Sequence, residues 1–359
     1  LPIDLLPLAW GWMNTLAEEW GCYWVLASGS LVRYWELPRL MALRIPRPDV
    51  RELVPEDLRK ELLRYETGRI RFCWEPEPLS RQELCRRVRE APGPRLLILN
   101  TVQSAAVLAS DLCDAYGREA VEHLSTALTA ADRAAAIERI KKRLQNEADT
   151  DWTLVATSCV EAGVDFSFRT GFREVSSLLS LLQAAGRVNR HGAEPEAEMW
   201  SFCMKDDSML RQNKMLRTER EVLQRYFRKR MEITPELSTQ FLNDVLAQDG
   251  SCLQKIDRLL HEEENLQFAD IKEEFKVIED NTVPAVVDET LAKKIVFGKT
   301  DWTELQRNSV SVRKSNIQVW NLKKIAGGLY QWTLRYDPFL GYMRGVLDME
   351  TAKHGFLNC

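Results

Sequence analysis

Between residues 95 and 202, short apolar runs alternate with longer segments in which apolar residues recur at helical spacing. The runs that predict buried strands are 95–100, 120–124, 152–156 and 198–202. The segments that predict helices are 102–116, 129–144 and 175–188, and Thr129 with Asp132 forms a capping box at the start of the second. This alternation predicts an α/β fold, a parallel sheet with helices on both faces. In such sheets, binding groups gather at the carboxyl ends of the strands.

The flanking segments differ from this block in pattern and charge. Residues 21–27 predict one more strand, followed by Ser28-Gly29-Ser30, and the proline-punctuated stretch 36–94 is typical of an interdomain crossing. Residues 208–230 predict a basic helical segment, with eight Lys or Arg against two Glu. The tail, 309–348, contains strand-like runs such as 331–336. A mainly helical or mixed C-terminal region is therefore expected after residue 205.

Composition narrows the class of protein. The chain is 45% hydrophobic and 28% charged, which is typical of globular domains, and its net charge is −4. It contains no apolar run of about 18 residues, and its start lacks a basic region and a cleavage site. The eight cysteines show no C-x2-4-C spacing, and the four histidines make no H-E-x-x-H or His-Asp pattern. We therefore expect a cytoplasmic protein with core thiols and no metal centre.

The segment 183–190, QAAGRVNR, carries the strongest chemical signal. On a continuous helix, Gln183, Arg187 and Arg190 would lie at offsets 0, 4 and 7 and share one face. Gly186 removes a side chain beside that face, so that a ligand can approach closely. Two guanidiniums with a carboxamide suit the spread charge of a transferring phosphate. Read alone, the segment fits an ordinary solvated helix face equally well.

A second signal is 155–165, VATSCVEAGVD, which begins where a predicted strand ends. Thr157 and Ser158 are expected to cap a short helix and offer hydroxyl and N–H groups to a nucleic-acid phosphate. Gly163 permits a sharp turn, after which Asp165 points its carboxylate back at the cleft. The alternative is a capped turn with a buried capping Asp.

A third signal, 97–104 (LILNTVQS), repeats the order of strand, polar turn and helix start. Asn100, Thr101 and Ser104 offer the same type of phosphate contact. Simple helix capping is the alternative here and is favoured when the segment is read alone. The three segments gain weight together because they follow successive strands of one predicted parallel sheet.

In wording and order, these segments resemble motifs IV, V and VI of superfamily 2 helicases. The resemblance is closer still to the CRISPR-associated helicase-nuclease of type I interference systems. Ser28-Gly29-Ser30 resembles motif III, which is usually Ser-Ala-Thr, and differs from it at Gly29 and Ser30. It implies a RecA-like second motor lobe that uses ATP and Mg²⁺. Arg187 and Arg190 would be arginine fingers, with Gln183 positioning them. Gly163 and Asp165 would belong to the nucleotide side.

The resemblance also implies how the chain contacts its other partners. The residues that would meet the backbone of single-stranded DNA are Asn100, Thr101, Ser104, Thr157 and Ser158. Ser28 and Ser30 would couple ATP use to DNA movement. The phosphate-binding loop, the acidic box and the His-Asp nuclease centre have no counterpart here. The single GK[ST] match, at 298–300, has Lys293 where that loop needs Gly. ATP and Mg²⁺ are therefore expected to be held mostly outside this chain, which alone is expected to be inactive.

These inferences define the predicted organisation and function. The predicted ranges are 1–45 for a remnant of a first lobe, 46–94 for the connection, 95–205 for the second lobe and 206–359 for the basic linker and accessory domain. The whole protein is expected to unwind and help degrade invader DNA, recruited by a CRISPR RNA-guided surveillance complex. The alternatives are another superfamily 2 DNA or RNA helicase, or a motor-dead lobe that acts as a nucleic-acid-binding module. Both arginines are expected to be nearly silent for folding.

Overall fold

The computed structural model describes residues 5–41, 50–276, 281–296 and 301–356. These residues fall into two compact units. One contains residues 1–68, 176–183 and 215–280, so far as they are described, and is called the helical unit below. The other contains residues 69–175, 184–214 and 281–359, with the same restriction, and is called the sheet unit. The four predicted domain ranges stay predictions.

The strands form two sheets. Their bounds are β1 Arg71–Trp74, β2 Arg95–Ile98, β3 Val121–Leu124, β4 Thr153–Ala156, β5 Thr170–Glu174, β6 Glu198–Phe202, β7 Thr282–Val286, β8 Ser309–Arg313, β9 Lys323–Lys324 and β10 Tyr330–Gln331. The first sheet has six strands in the order β1-β6-β5-β2-β4-β3. Every neighbouring pair in it is parallel. The second sheet has the order β8-β7-β10-β9 and mixes parallel and antiparallel pairs.

The helices lie between and after these strands. Their bounds are α1 Leu6–Trp20, α2 Pro38–Met41, α3 Glu56–Gly68, α4 Arg81–Glu90, α5 Val102–Tyr116, α6 Ala130–Gln145, α7 Leu178–Ala185, α8 Arg217–Arg228, α9 Leu237–Gln248, α10 Gly250–Glu264, α11 Phe268–Glu274, α12 Glu289–Val296, α13 Trp302–Arg307, α14 Asn316–Val319 and α15 Met343–Phe356. Helix α7 belongs to the helical unit as far as Gln183.

The parallel sheet confirms the predicted fold class. All four residues of β2, of β3 and of β4 are buried. Because successive side chains of a strand point to opposite faces, the sheet must be covered on both sides. Helix α5 has the predicted bounds, and Thr129 caps α6 as predicted, its Oγ1 accepting from the Asp132 backbone N–H at 3.2 Å.

The second sheet shares a hydrophobic core with the first. Val312 and Trp332 belong to the same buried cluster as Leu97 and Leu108. Gly341 has φ +64°, and a Cβ there would lie 2.2 Å from the Ala127 carbonyl oxygen, so the position excludes a side chain. The C-terminal strands are therefore an integral part of the sheet unit.

The helical unit is built around aromatic and aliphatic side chains. Trp10, Leu37, Leu242 and Ile256 form its central cluster, and Trp10 stacks on Trp35 at 5.4 Å between ring centroids. On the basic segment, Val222, Leu223 and Tyr226 bury one stripe of α8. No helix among the described residues is long and apolar enough to cross a membrane.

Several predicted elements are wrong in type or extent. Residues 21–27 are not a strand: they pair with no described strand, and Tyr23 is 97% exposed. The helix predicted at 175–188 covers only Leu178–Ala185, and the strand-like run 331–336 contributes only Gln331 to β10. Strands β1 and β5 were not predicted, because charged residues interrupt their apolar pattern.

Candidate functional site

The candidate site lies where three neighbouring strands of the parallel sheet end. Strands β5, β2 and β4 are adjacent, and their carboxyl ends lie at one edge because all three run in the same direction. The segments that leave this edge include 99–104 after β2 and 157–165 after β4. Parallel sheets present ligand-binding groups at this edge. The sheet thus brings together two of the three segments that the sequence singled out.

After β2, the polar residues are largely engaged within the protein. Thr101 caps α5, its Oγ1 accepting from the Ser104 backbone N–H at 3.1 Å. Ser104 is only 2% exposed, and its Oγ accepts from the Arg211 backbone N–H at 3.1 Å. The Asn100 side chain donates from Nδ2 to the Val175 carbonyl oxygen at 2.8 Å. Three residues were predicted to contact phosphates here. Thr101 is half-buried, whereas the side chains of Asn100 and Ser104 are engaged in internal hydrogen bonds.

After β4, Thr157 and Ser158 differ in exposure. Thr157 is 7% exposed, and its hydroxyl donates to Cys159 Sγ at 3.5 Å. Its side chain therefore does not cap the short 3-10 helix Ser158–Val160, contrary to expectation. Ser158 is exposed. Gly163 has φ +77°, the left-handed conformation that the predicted sharp turn requires.

The arginines lie beyond the helix that was predicted to carry them. Helix α7 ends at Ala185, and two backbone hydrogen bonds that each span three residues follow. The Arg187 N–H donates to the Ala184 carbonyl and the Val188 N–H to the Ala185 carbonyl, both at 2.9 Å. Phe168 then pairs with the chain, its N–H donating to the Arg187 carbonyl at 2.8 Å. The predicted common helix face for 183, 187 and 190 is therefore wrong. The arginines occupy a turn, residues 186–190, called the arginine turn below.

Asn189 fixes the shape of the arginine turn, a role that the sequence did not indicate. It is buried at φ +44°, in a region that Asn tolerates better than most residues. Its Nδ2 donates to the carbonyls of Arg69 and Glu194 at 2.8 and 2.7 Å, and its Oδ1 accepts from the Glu194 N–H at 2.9 Å. All polar groups of this side chain are thus used to hold the turn.

Arg187 and Arg190 have different environments. Arg187 donates from Nε to the Val160 carbonyl at 3.0 Å and from Nη2 to the Glu161 carbonyl at 2.8 Å. Burial, and then the nearby Arg190 charge, lower the pKa of Arg187 from its ordinary value. Arg190 forms an ion pair with Asp165, Nε to Oδ1 at 2.9 Å, with side chains 41% and 74% exposed. The fold thus holds the Arg187 guanidinium through two main-chain carbonyls, whereas it leaves Arg190 half-exposed.

The remaining predicted residues lie in the helical unit. Gln183 is exposed near the end of α7. Ser28 and Ser30 form a turn, in which the Ser30 backbone N–H donates to Ser28 Oγ at 3.2 Å. Lys293 lies on α12, whereas 298–300 falls outside the described residues.

Across the described ranges, no group of three or more His, Cys, Asp or Glu side chains could hold a metal ion. The groups that suit a nucleotide phosphate are Arg187 and Arg190, which lie beside the loop that follows β4. Burial raises the pKa of the Cys85 thiol to about 12 and of the Cys113 thiol to about 11. These two thiols are therefore poor nucleophiles.

The six-stranded parallel sheet with helices on both faces is a RecA-like fold, which the solved structure described below shares. Residues 92–193 match the family model described as CRISPR-associated nuclease/helicase Cas3, C-terminal. The chain is thus similar to the Cas3 helicases, and the resemblance predicted from the three segments is confirmed.

The relatives have the same description. A CRISPR-associated nuclease/helicase Cas3 of Methanothermobacter thermautotrophicus is 23% identical, over 68% of this chain and 31% of the relative. The Cas3 of Haloferax volcanii is 27% identical, over 27% of this chain and 16% of the relative. The crystal structure of T. fusca Cas3-ATP superposes with a TM-score of 0.52 and 15% identity, covering 76% of this chain and 42% of that one. The chain spans less than a third of the length of these curated relatives.

Proposed function

We propose that this chain supplies the second motor lobe of an ATP-dependent DNA helicase that acts in type I CRISPR interference. The whole protein would unwind invader DNA and help to degrade it. The observation that carries the proposal is the arginine turn, which holds Arg187 against the loop after β4 and leaves Arg190 half-exposed beside Asp165. A phosphate that arrives from a facing lobe would meet two guanidiniums already placed beside that loop.

On the nucleotide side, each residue has a distinct proposed task. Arg187 and Arg190 would stabilise the charge that develops on the transferring phosphoryl group, and Gln183 would position them. Asp165 would hold Arg190 until the nucleotide arrives, and Gly163 would let the loop turn sharply toward it. ATP with Mg²⁺, when bound, supplies the phosphoryl group and neutralises its charge. Most of its contacts would come from outside this chain.

On the DNA side, the exposed Ser158 and the half-buried Thr101 are the best placed to contact backbone phosphates. Thr157, Asn100 and Ser104 would act mainly by shaping the two loops. Ser28 and Ser30 would couple the two events. The proposed partners are single-stranded DNA, a CRISPR RNA-guided surveillance complex, and a first motor lobe and nuclease domain.

The decisive experiment measures DNA-stimulated ATP hydrolysis by the full-length protein that contains this chain. Arg190→Ala should lower the turnover number by roughly two orders of magnitude or more. The matched control is Arg86→Ala, because Arg86 is 60% exposed and also pairs with a carboxylate, Glu90, at 2.8 Å. Both residues lie on α4, outside the three segments that the sequence singled out, and the loss of Arg86 should leave turnover within about twofold.

Two outcomes would contradict the proposal. If the wild-type full-length protein shows no DNA-stimulated turnover, the lobe is motor-dead and acts as a binding module. If turnover is normal in Arg190→Ala, the arginine turn does not meet the nucleotide. The present chain alone should hydrolyse no ATP, and clear turnover by it would contradict the proposal that the phosphate-binding loop lies elsewhere.

A further inference from the structure

The carboxyl edge of the sheet contains three buried charged residues, Arg173, Glu161 and Glu174, to which the proposed function gives no role. Together with Asn100, which Arg173 contacts, they are called the Arg173 cluster below. The Arg173 side chain is 3% exposed and the Glu161 side chain 7%, and Glu174 is 5% exposed as a residue. A buried arginine in a strand of four otherwise buried residues is costly unless each of its charges is matched.

Arg173 joins residues from three segments. Its Nε lies 3.0 Å from Glu161 Oε1 in the loop after β4. Its Nη1 donates to Asn100 Oδ1 at 2.6 Å, in the turn after β2, and to the Glu174 carbonyl at 3.0 Å. Glu174 Oε2 in turn accepts from the Asn100 backbone N–H at 2.8 Å. One guanidinium therefore ties together both loops of the candidate site.

Burial lowers the pKa of Arg173 from its ordinary value, and the charges of Glu161 and Glu174 oppose that effect. The guanidinium stays charged, because arginine is not deprotonated in proteins. It contacts the Glu161 carboxylate, the Asn100 amide oxygen and the Glu174 main-chain carbonyl. All three are acceptors, and a neutral side chain could satisfy them only in part.

The cluster reaches Arg187 through Glu161. The Glu161 carboxylate is held by Arg173, while its main-chain carbonyl accepts from Arg187 Nη2 at 2.8 Å. Both groups belong to one residue, which is 8% exposed and has little room to rearrange. A change in the position of the carboxylate is therefore expected to move the carbonyl that holds Arg187.

We propose that Arg173 is a positioning residue that sets the place of Arg187 through Glu161 and the shape of the DNA-facing turn through Asn100. The two loops cannot shift independently while this guanidinium holds both. The effect on ATP turnover rests on the proposed function, whereas the effect on Arg187 itself does not.

The first test is on the chain itself and needs no helicase activity. With nitrogen-15-labelled arginine, the Nε–H signal of Arg187 is identified by its loss in Arg187→Lys, and its exchange with water is measured. In Arg173→Gln and in Glu161→Gln, exchange should accelerate by roughly tenfold or more, because the carbonyl acceptors are no longer held. Melting temperatures show which variants are folded, and Glu161→Gln decides the matter if Arg173→Gln is unfolded.

The matched control is Arg95→Gln. Arg95 is also buried, with a side chain 6% exposed, and pairs with Asp151 at 2.8 Å. It lies on β2 opposite Thr170, whereas Arg173 lies opposite Ile98, so the two arginines occupy opposite ends of neighbouring strands. Arg95→Gln should destabilise the chain without changing exchange at Arg187. Equal exchange in wild type and Glu161→Gln would overturn the proposal, as would the same acceleration in Arg95→Gln.

The second test uses the full-length protein at a temperature where every variant is folded. Arg173→Gln should lower the turnover number by roughly ten- to a hundredfold and leave the KM for ATP nearly unchanged. Combined with Arg187→Ala, it should cause almost no further loss, because it acts through the residue already removed. Fully additive losses would overturn the positioning role. Normal turnover of Arg187→Ala, with exchange still altered in the first test, would instead contradict the proposed function.

Discussion

Arg187 and Arg190 lie in the same turn, yet their removal should have different effects on stability. Arg187→Ala removes two charge-assisted hydrogen bonds to main-chain carbonyls, at 3.0 and 2.8 Å. One of those carbonyls belongs to Val160, which is fully buried. Arg190→Ala removes an ion pair whose carboxylate is 74% exposed. We therefore expect Arg187→Ala to be clearly destabilising and Arg190→Ala to be nearly silent.

The magnitudes follow from the exposure of each group. A hydrogen bond from a charged donor contributes about 1.5–3 kcal/mol, and the half-exposed Arg187 guanidinium places its two bonds at the low end. Arg187→Ala should thus lower the free energy of unfolding by about 2–3 kcal/mol, and the melting temperature by roughly 4–10 °C. An exposed ion pair contributes about 0–1 kcal/mol, so Arg190→Ala should shift the melting temperature by about 2 °C or less.

The assay is thermal and urea unfolding of this chain, without ATP or DNA. Arg187→Lys is the informative intermediate, because a lysine ammonium keeps the charge but lacks the planar fork that reaches both carbonyls. It should recover less than half of the loss. Arg169→Ala, with a similar exposure and partner, should match Arg190→Ala. Equal losses for Arg187→Ala and Arg190→Ala, or a larger loss for the latter, would refute the reasoning.

Three further predictions concern pH, DNA and salt. Burial lowers the pKa of His123 to about 4, below its unfolded value of about 6.5. The unfolded chain therefore binds the proton more readily, and the free energy of unfolding should fall by up to about 3 kcal/mol as the pH drops from 6.5 to 4. Urea unfolding of His123→Gln should show a flatter profile in that range, and an unchanged profile would contradict the assignment. In the full-length protein, Ser158→Ala should weaken the binding of unrelated single-stranded oligonucleotides to the same extent, as measured by fluorescence anisotropy. Ser104 is buried, so Ser104→Ala should mainly lower the melting temperature. A sequence-dependent loss of affinity in Ser158→Ala would argue against a phosphate contact. Reversing exposed charges at and just after the end of α8 should reduce the slope of log affinity against log salt by about one per lost contact, and an unchanged slope would mean a merely solvated helix. The charges to reverse are Arg228, Lys229 and Arg230.

The elements that the sequence predicted well are those whose pattern is set by local periodicity. Helix α5 at Val102–Tyr116, strand β6 at Glu198–Phe202 and the Thr129 cap follow directly from the spacing of apolar and capping residues. The apolar run 21–27 fails as a strand because a strand needs a hydrogen-bonding neighbour, which periodicity does not supply. Strand β5 was missed because Arg173 and Glu174 look like surface residues until their partners are known.

At the candidate site, the sequence located the segments but not the directions of their side chains. Both Asn100 and Thr157 fall at strand ends, as predicted, yet the first points into a buried cluster and the second bonds Cys159. The helix-face argument failed at Arg187 because the chain leaves the helix to pair with Phe168, a contact between residues far apart in sequence. The role of Asn189 was not predicted, and the local signal that could have indicated it is the tolerance of Asn for positive φ.

Under the proposed function, Arg187 and Arg190 have different roles that follow from their different environments. Arg187 is already fixed by carbonyls of the β4 loop, so it would need little reorganisation when the phosphate arrives, which is the condition under which electrostatic stabilisation is most effective. Arg190 must exchange one anion, Asp165, for another, and that exchange is nearly balanced because the existing pair is exposed and weak. A motor needs both kinds of contact, because a fixed charge stabilises the transition state while a movable one can respond to the nucleotide and release it.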